Sequence, residues 1–323
     1  MNPVKTFAEG VAAQIHEYLP QDYKNIRCRV QEKVTANGVV QIGIEFARPN
    51  SEADPIIYME SYYDEIKEGA EVYVVMQEIA SDYIQHDRKS RYLDTGMLMD
   101  YEAVRDKIEP VLLNSMANRK GFLWMPHREI ADLSLFYSVV LPEQEKGMRA
   151  SMAIQNEHIK HWGVSEQDLY TQAISNMERR EVGTLVSMND TLRKMFSRER
   201  YEGRNLLNLD TGNMKLPTDI MYVLTNEKTI YGASLVAVPS VMEKVNQLFP
   251  DGYYILPSSV HEVMILPKPC DISAKELGEM VRDINRHEVC ESEWLSNCVY
   301  EYDKEKCAVR QVPESVRHRE MER

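Results

Sequence analysis

The sequence lacks the features that mark membrane-spanning or disulfide-bonded proteins. No apolar run reaches the roughly 18 residues that a membrane-spanning helix requires, and the first residues have no apolar stretch typical of a signal peptide. The five cysteines are an odd, scattered set without a Cys-x-x-Cys pair, which does not form a disulfide framework. We therefore expect a cytoplasmic protein with reduced thiols and no membrane association.

Nucleotide and nucleic-acid signatures are missing as well. Neither Gly-x-x-x-x-Gly-Lys-Ser/Thr nor Gly-x-Gly-x-x-Gly occurs, so the sequence favours neither a P-loop hydrolase nor a dinucleotide-binding fold, and we expect no cofactor. The chain has a net charge of −13, which disfavours nucleic-acid binding because that function needs a basic surface. Residues 51–90 carry ten Asp/Glu against three Lys/Arg. This segment is a solvated acidic face or a docking surface for a basic partner.

The apolar pattern predicts strands followed by amphipathic helices. Two alternating runs flank Ala36-Asn37-Gly38, and Asn-Gly is a strong hairpin signal. The apolar stripe from Val72 to Tyr83 predicts a helix, whereas the run Ile56–Met59 is open between a strand and a helix start. Residues 87–100 are polar and are predicted to be a connection.

The rest of the chain repeats the strand-strand-helix order. The predicted strands are Ile130–Leu141 with Met148–Ile154 across a turn at Glu143–Gly147, Ile220–Leu224 with Tyr231–Val238, Tyr253–Leu256 with Val260–Leu266, and a closing hairpin around Asp303–Lys306. The predicted helices are residues 101–117, a helix begun by the capping box of Ser165 and Asp168, Leu185–Phe196, a helix opened by Pro239, and a helix begun by the capping box of Ser273 and Glu276. This order predicts an α+β fold with antiparallel sheets and helices packed on one face.

Composition shifts and turn residues divide the chain into four parts. Residues 1–100 form a helix-hairpin-helix unit, and residues 101–217 form a central strand-strand-helix unit with an irregular connection. Residues 218–312 form a C-terminal α+β unit. Residues 313–323 are a charged tail.

Several segments resemble a bacterial family of uncharacterised proteins that is defined only as a domain of unknown function. They are Met221-Tyr-Val-Leu-Thr-Asn226, Tyr231-Gly-Ala233 and Ile255-Leu-Pro-Ser-Ser-Val-His-Glu-Val263. The resemblance spans residues 20–302. It implies a bacterial cytosolic protein and carries no catalytic role with it.

The best candidate site is the turn between Pro257 and Glu262, where polar side chains stand between two apolar runs. The candidate binding residues are Asn226, Tyr254, Ser258, Ser259, His261 and Glu262. We expect a non-catalytic binding or interaction protein that uses this surface for a protein or small-molecule partner. The more ordinary interpretation is that the serines satisfy turn amides and that His261 bonds a backbone group.

The alternative is a hydrolase of unknown substrate with His261 as general base. A serine hydroxyl beside a histidine suits acyl transfer, and one of the two serines or a distant acid would assist. Against this, no Gly-x-Ser-x-Gly elbow precedes the serines. Strand alternation would also turn His261 and Glu262 to opposite faces. We therefore assign no catalytic residue.

Metal binding is a weaker hypothesis. His158 and His161 are spaced one helical turn apart, with His127 upstream, but the segment is not His-Glu-x-x-His. The motifs that begin at His261 and His287 lack the second histidine that the zinc mechanism needs. We interpret these histidines as ordinary polar residues and predict no metal site.

Overall fold

A computed structural model describes residues 2–49, 54–90, 95–141, 151–181, 183–196, 204–209 and 216–313. The chain forms two compact units, Met1–Met99 and Asp100–Arg323. The division predicted from the sequence, with boundaries after residues 100, 217 and 312, stays a prediction. Its charged tail lies almost wholly outside the described residues. Within those residues, no helix has both the length and the apolar character that a bilayer crossing needs.

The first unit packs helices against a three-stranded antiparallel sheet with the order β1-β2-β3. Its elements are α1 (Pro3–Gln14), β1 (Arg27–Val34), β2 (Val40–Ala47), β3 (Ile56–Tyr58), α2 (Glu60–Lys67) and α3 (Val72–Ser90). The predicted hairpin is confirmed, since Val34 pairs with Val40 across a turn in which Asn37 has a φ of 59°. Asparagine tolerates this left-handed conformation better than most residues.

The buried residues of the first unit recur at the spacing expected for strands and helices with one face in the core. Alternate residues of β2, from Ile42 to Phe46, are buried, and the ring of Phe46 stacks on Tyr83 of α3 with centroids 4.3 Å apart. The helix α3 extends beyond its predicted end to Ser90, into the predicted polar connection. In this extension the fully buried carboxylate of Asp87 is paired with Arg48 at 2.5 Å, which offsets part of the penalty of an isolated buried charge.

The described residues of the second unit form one four-stranded and one six-stranded sheet. Its first elements are α4 (Tyr101–Val104), β4 (Ile108–Asn114), α5 (Ser115–Asn118), β5 (His127–Ile130), β6 (Leu133–Val140), β7 (Ser151–Ala153), α6 (Asn156–Trp162) and α7 (Glu166–Arg180). Then follow β8 (Gly183–Ser187), α8 (Met188–Phe196), β9 (Tyr222–Asn226), α9 (Pro239–Leu248), β10 (Tyr253–Ser259), β11 (Glu262–Pro267), α10 (Ala274–His287), β12 (Tyr300–Asp303) and β13 (Ala308–Gln311).

The described strand pairs are all antiparallel, which confirms the predicted α+β class. In the smaller sheet β6 pairs with β4, β5 and β7, and the larger sheet has the order β13-β12-β10-β11-β9-β8. Leu277 and Val281 of α10 cover one face of β10 and β11. Both predicted capping boxes are confirmed: Ser165 and Ser273 each accept a first-turn amide and bond the acid three residues later.

The helix predicted over residues 101–117 is wrong. Only Tyr101–Val104 is α-helical at its start, and Ile108–Asn114 is β4, paired with β6. The apolar run from Val111 to Leu113 is buried. Pro110 would interrupt a helix because it has no N–H, but it is tolerated in β4, which lies at the edge of the described sheet.

The second strand predicted over Tyr231–Val238 is also wrong, because Gly232–Ala237 is a 3-10 helix. The chain turns into it through Tyr231, whose φ of 54° is left-handed. Gly232 lets this helix pack directly on β9. A Cβ at that position would lie 2.4 Å from Thr225 Oγ1, closer than real side chains allow. Most of the apolar residues of this segment are buried by this close packing and not by a pleated strand.

Two further predictions are corrected in part. The helix predicted over Leu185–Phe196 begins only at Met188, because Leu185 belongs to β8 and pairs with Leu224. The strand predicted over Met148–Ile154 is described only as β7, and its turn at Glu143–Gly147 lies outside the described residues.

A buried polar link joins the two sheets of the second unit. Asp132, in the turn between β5 and β6, accepts hydrogen bonds from Ser296 Oγ at 2.9 Å and from the Tyr300 hydroxyl at 2.5 Å. Ser296 is fully buried, and Tyr300 is 2% exposed. Nearby, Asn114 Nδ2 donates to the Leu295 carbonyl at 3.1 Å. The link therefore connects residues that are far apart in the sequence.

Candidate functional site

The predicted turn lies between β10 and β11, and backbone hydrogen bonds join it to two other segments of the chain. Its two turn residues are Val260 and His261, and a register shift between Pro257 and Ser259 marks a bulge just before them. Val260 N–H donates to the Glu293 carbonyl at 2.9 Å, and the Val260 carbonyl accepts from Ala233 N–H at 3.3 Å. We call Ser258–Glu262, together with Tyr231 and Glu293, the corner.

Both nitrogens of the His261 imidazole face a polar neighbour. Tyr231 N–H donates to His261 Nδ1 at 3.1 Å, and Glu293 Oε1 lies 3.5 Å from Nε2. Because Nδ1 accepts a hydrogen bond, the proton of the neutral ring resides on Nε2. The Tyr231 ring also lies against the imidazole, with centroids 5.6 Å apart. The His261 side chain remains 30% exposed, so the ring is oriented by its neighbours and still reaches solvent.

The two serines stabilise the turn. Ser259 Oγ accepts from His261 N–H at 3.0 Å, and the Ser258 hydroxyl lies near enough to Glu262 to lower the pKa of its carboxyl. Burial raises the pKa of Glu262 overall, while the neighbouring His261 and Ser258 act in the opposite direction. In the described contacts, neither hydroxyl bonds an imidazole nitrogen. The ordinary interpretation of the serines as turn-stabilising residues therefore agrees with their positions.

Asn226 lies beside the corner and organises the turn that leads to it. Its side chain accepts from Lys228 N–H and Ile230 N–H and donates to the Ile230 carbonyl at 2.7 Å. The preceding residue, Thr225, donates to the His261 carbonyl at 2.8 Å. Asn226 thus directs the chain into Tyr231, whose amide orients the imidazole.

Tyr254 is the one sequence candidate that is not at the corner. It stands four residues before Ser258 on β10, about 13 Å away at the usual rise of a strand. Its ring lies under Lys268 Nζ at 4.1 Å. The other five candidates lie in the corner or next to it.

Sequence reasoning missed Tyr231 and Glu293 as parts of this site. The left-handed φ of Tyr231 has no signal in the sequence, because tyrosine rarely adopts it. Glu293 comes from a loop after α10 and meets the turn only through tertiary packing. For Tyr231, the only signal in the sequence is its position five residues after Asn226, which ends a strand.

Two of the histidines considered for metal binding, His127 and His158, have local partners. His127 bonds the Met125 carbonyl at 2.9 Å, and His158 Nδ1 accepts from Gln155 N–H at 3.0 Å. His158 stacks on Trp162 with centroids 5.6 Å apart. No group of three or more His, Cys, Asp or Glu side chains suited to a metal ion occurs in the part of the chain that the structure describes.

Residues 4–304 match the model of a protein family that is described as a family of unknown function, DUF5688. The match includes the corner and extends through nearly all of both units. No curated protein matches the chain, and no solved structure matches it.

Proposed function

The chain belongs to this family of unknown function, and from that premise we propose that it is a non-catalytic binding protein. Its binding surface is the corner, and its partner is a protein segment or a small molecule. We further propose a cytoplasmic location. The five free cysteines support that location, because reducing compartments keep thiols unpaired.

The observation that carries the proposal is the fixed orientation of the His261 ring. The Tyr231 amide and the Glu293 carboxylate hold the ring from two sides, while part of the side chain stays exposed. Polar groups that are already oriented lose little conformational entropy when they bind a partner. The corner therefore offers a preorganised pair of the His261 imidazole and the Glu293 carboxylate, and the exposed part of that carboxylate suits a partner with hydrogen-bond donors.

The hydrolase alternative has no such support. A general base needs an imidazole nitrogen that accepts the proton of the nucleophile. In His261, Nδ1 already accepts from Tyr231, and Nε2 faces Glu293. Ser259 Oγ is used by a backbone amide. The role of His261 as a general base stays a prediction that no contact favours.

Ligand screening with matched variants tests the proposal. Fragment and peptide libraries would be screened against the full chain by ligand-observed NMR, and the hits retested on His261→Ala and Glu293→Gln. We expect each variant to weaken the hits at least about 10-fold, which corresponds to about 1.4 kcal/mol. Each variant's melting temperature would be recorded so that loss of folding is recognised.

His287→Ala is the matched control. This histidine also lies near a carboxylate, Asp283, at 3.7 Å, but it is on the exposed face of α10 and outside the corner. The control should bind every hit as the unmodified chain does. The proposal would be contradicted if the hits bound both corner variants with the affinity that they have for the unmodified chain. Ester hydrolysis by the purified protein that His261→Ala abolishes would favour the hydrolase instead.

A further inference from the structure

The second unit contains a groove that is separate from the corner. It lies where the end of α7, the start of β8 and the first turns of α9 meet, it is open to solvent on one side, and its volume is about 330 Å³. This volume is near the lower end of ligand-binding cavities, which span roughly 300–1,000 Å³. The groove therefore suits a molecule the size of an amino acid and is small for a nucleotide.

The floor of the groove is apolar. Leu207 and Val241 line it, together with Gly183 at the start of β8. A Cβ on Gly183 would lie 3.0 Å from Leu207 Cδ1 and 3.5 Å from Val241 Cγ2, so these side chains pack directly over the glycine. Such a floor favours a hydrocarbon portion in the ligand, because its burial releases ordered water from both surfaces.

The rim of the groove carries charges of both signs. Glu178 and Glu181, at the end of α7, line it with Lys244 of α9, and all three side chains are exposed. Among the described contacts, none of the three forms an ion pair. The arginines between the two acids point elsewhere, since Arg179 pairs with Asp106 and Arg180 with Glu109. The rim charges are thus available to a ligand.

We propose that this groove binds a small zwitterion with an apolar carbon skeleton, such as an aliphatic amino acid. The ammonium group of the ligand faces Glu178 and Glu181, and its carboxylate faces Lys244. A ligand with a single charge satisfies only one side of the rim and is repelled by the other. The site shares no residue with the corner and stands independently of the function proposed there.

Calorimetry on the full chain tests the proposal with the common L-amino acids and a series of ω-amino acids as probes. For the best binder, the amide, which lacks the carboxylate, and the N-acetyl derivative, which lacks the ammonium, are the matched ligands. We expect each derivative to bind at least about 10-fold more weakly than the zwitterion. Equal binding of either derivative would overturn the charge assignment. Absence of binding by every probe at millimolar concentration would overturn the proposal itself.

Variants locate the site of binding. Lys244→Gln and the double variant Glu178→Gln/Glu181→Gln should each weaken the best probe at least about 10-fold. Glu243→Gln is the matched control, because its exposed side chain is next to Lys244 in sequence and does not line the groove. All four positions are exposed, so these variants retain the fold. Binding that survives both groove variants, or that the control abolishes, would refute the assignment.

Discussion

Replacing Asp132 by alanine should destabilise the second unit strongly, because one side chain serves two buried hydroxyl groups. Ser296 Oγ and the Tyr300 hydroxyl both donate to its carboxylate. A buried polar group that loses its partner costs about 1–3 kcal/mol, so two groups amount to about 2–6 kcal/mol. Asp132 itself is only half-buried, and water that enters recovers part of this. We expect a loss of about 2–4 kcal/mol in the free energy of unfolding.

Tryptophan fluorescence during urea denaturation measures this loss selectively. Trp124, Trp162 and Trp294 all belong to the second unit, so the signal does not report on residues 1–99. The urea midpoint should fall while the slope stays constant, which shows that stability has changed and not the extent of unfolding.

A double-mutant cycle separates the link from other effects of the substitution. Tyr300→Phe removes one of the two hydroxyls, so Asp132→Ala should cost at least about 1 kcal/mol less in that background. Asp251→Ala, in an exposed turn, is the control and should stay within about 0.5 kcal/mol of the unmodified chain. A loss below about 1 kcal/mol for Asp132→Ala, or strict additivity in the cycle, would refute the reasoning.

Three other predictions concern packing and protonation. Urea denaturation should show that Gly232→Ala lowers the free energy of unfolding by about 3 kcal/mol or more, because the added Cβ meets backbone atoms. Gly10→Ala, in α1 with nothing within 4 Å of the added Cβ, should raise it by about 0.5–1 kcal/mol. Burial raises the pKa of Glu262, so its ionisation opposes folding at neutral pH. Glu262→Gln should therefore have a higher free energy of unfolding than the unmodified chain at neutral pH. Parallel urea titrations should show this difference vanish as the pH falls from the raised pKa to below the ordinary carboxyl pKa. Burial raises the pKa of Cys28 to about 11, so iodoacetamide at pH near 8 should label exposed Cys290 and spare Cys28 by mass spectrometry.

Local signals in the sequence predicted the elements whose formation is decided locally. The Asn37-Gly38 hairpin and the capping boxes of Ser165 and Ser273 each depend on residues no more than a few positions apart. Such short-range chemistry is the same in a peptide and in a folded protein. These elements therefore appear where the pattern indicates.

The failed predictions concern segments whose conformation depends on distant partners. Val111–Leu113 is apolar in every position, and a short apolar run fits a buried helix and a buried strand equally well. This segment forms a strand because it pairs with β6, a contact that the local sequence does not encode. Gly232–Ala237 was predicted as a strand but is a 3-10 helix, and its Gly232 packs so closely on β9 that an added Cβ would clash.

The sequence predicted the position of the candidate site but not all of the residues that form it. The polar residues of the β10–β11 turn were recognisable because two apolar strands enclose them. Glu293 was not, since it lies more than 30 positions from His261 in the chain and reaches it through the loop after α10. The tautomer of His261 depends on a tyrosine amide, and no pattern of side chains encodes a backbone donor.

The link through Asp132 bears on how the protein emerges from the ribosome. Synthesis proceeds from the N-terminus, so the carboxylate and its neighbouring strands leave the exit tunnel well before Ser296 and Tyr300 are translated. Until then Asn114 and Asp132 lack the partners that Leu295, Ser296 and Tyr300 supply. Nascent chains stalled shortly before residue 296 should consequently be far more sensitive to protease than chains released after the closing hairpin.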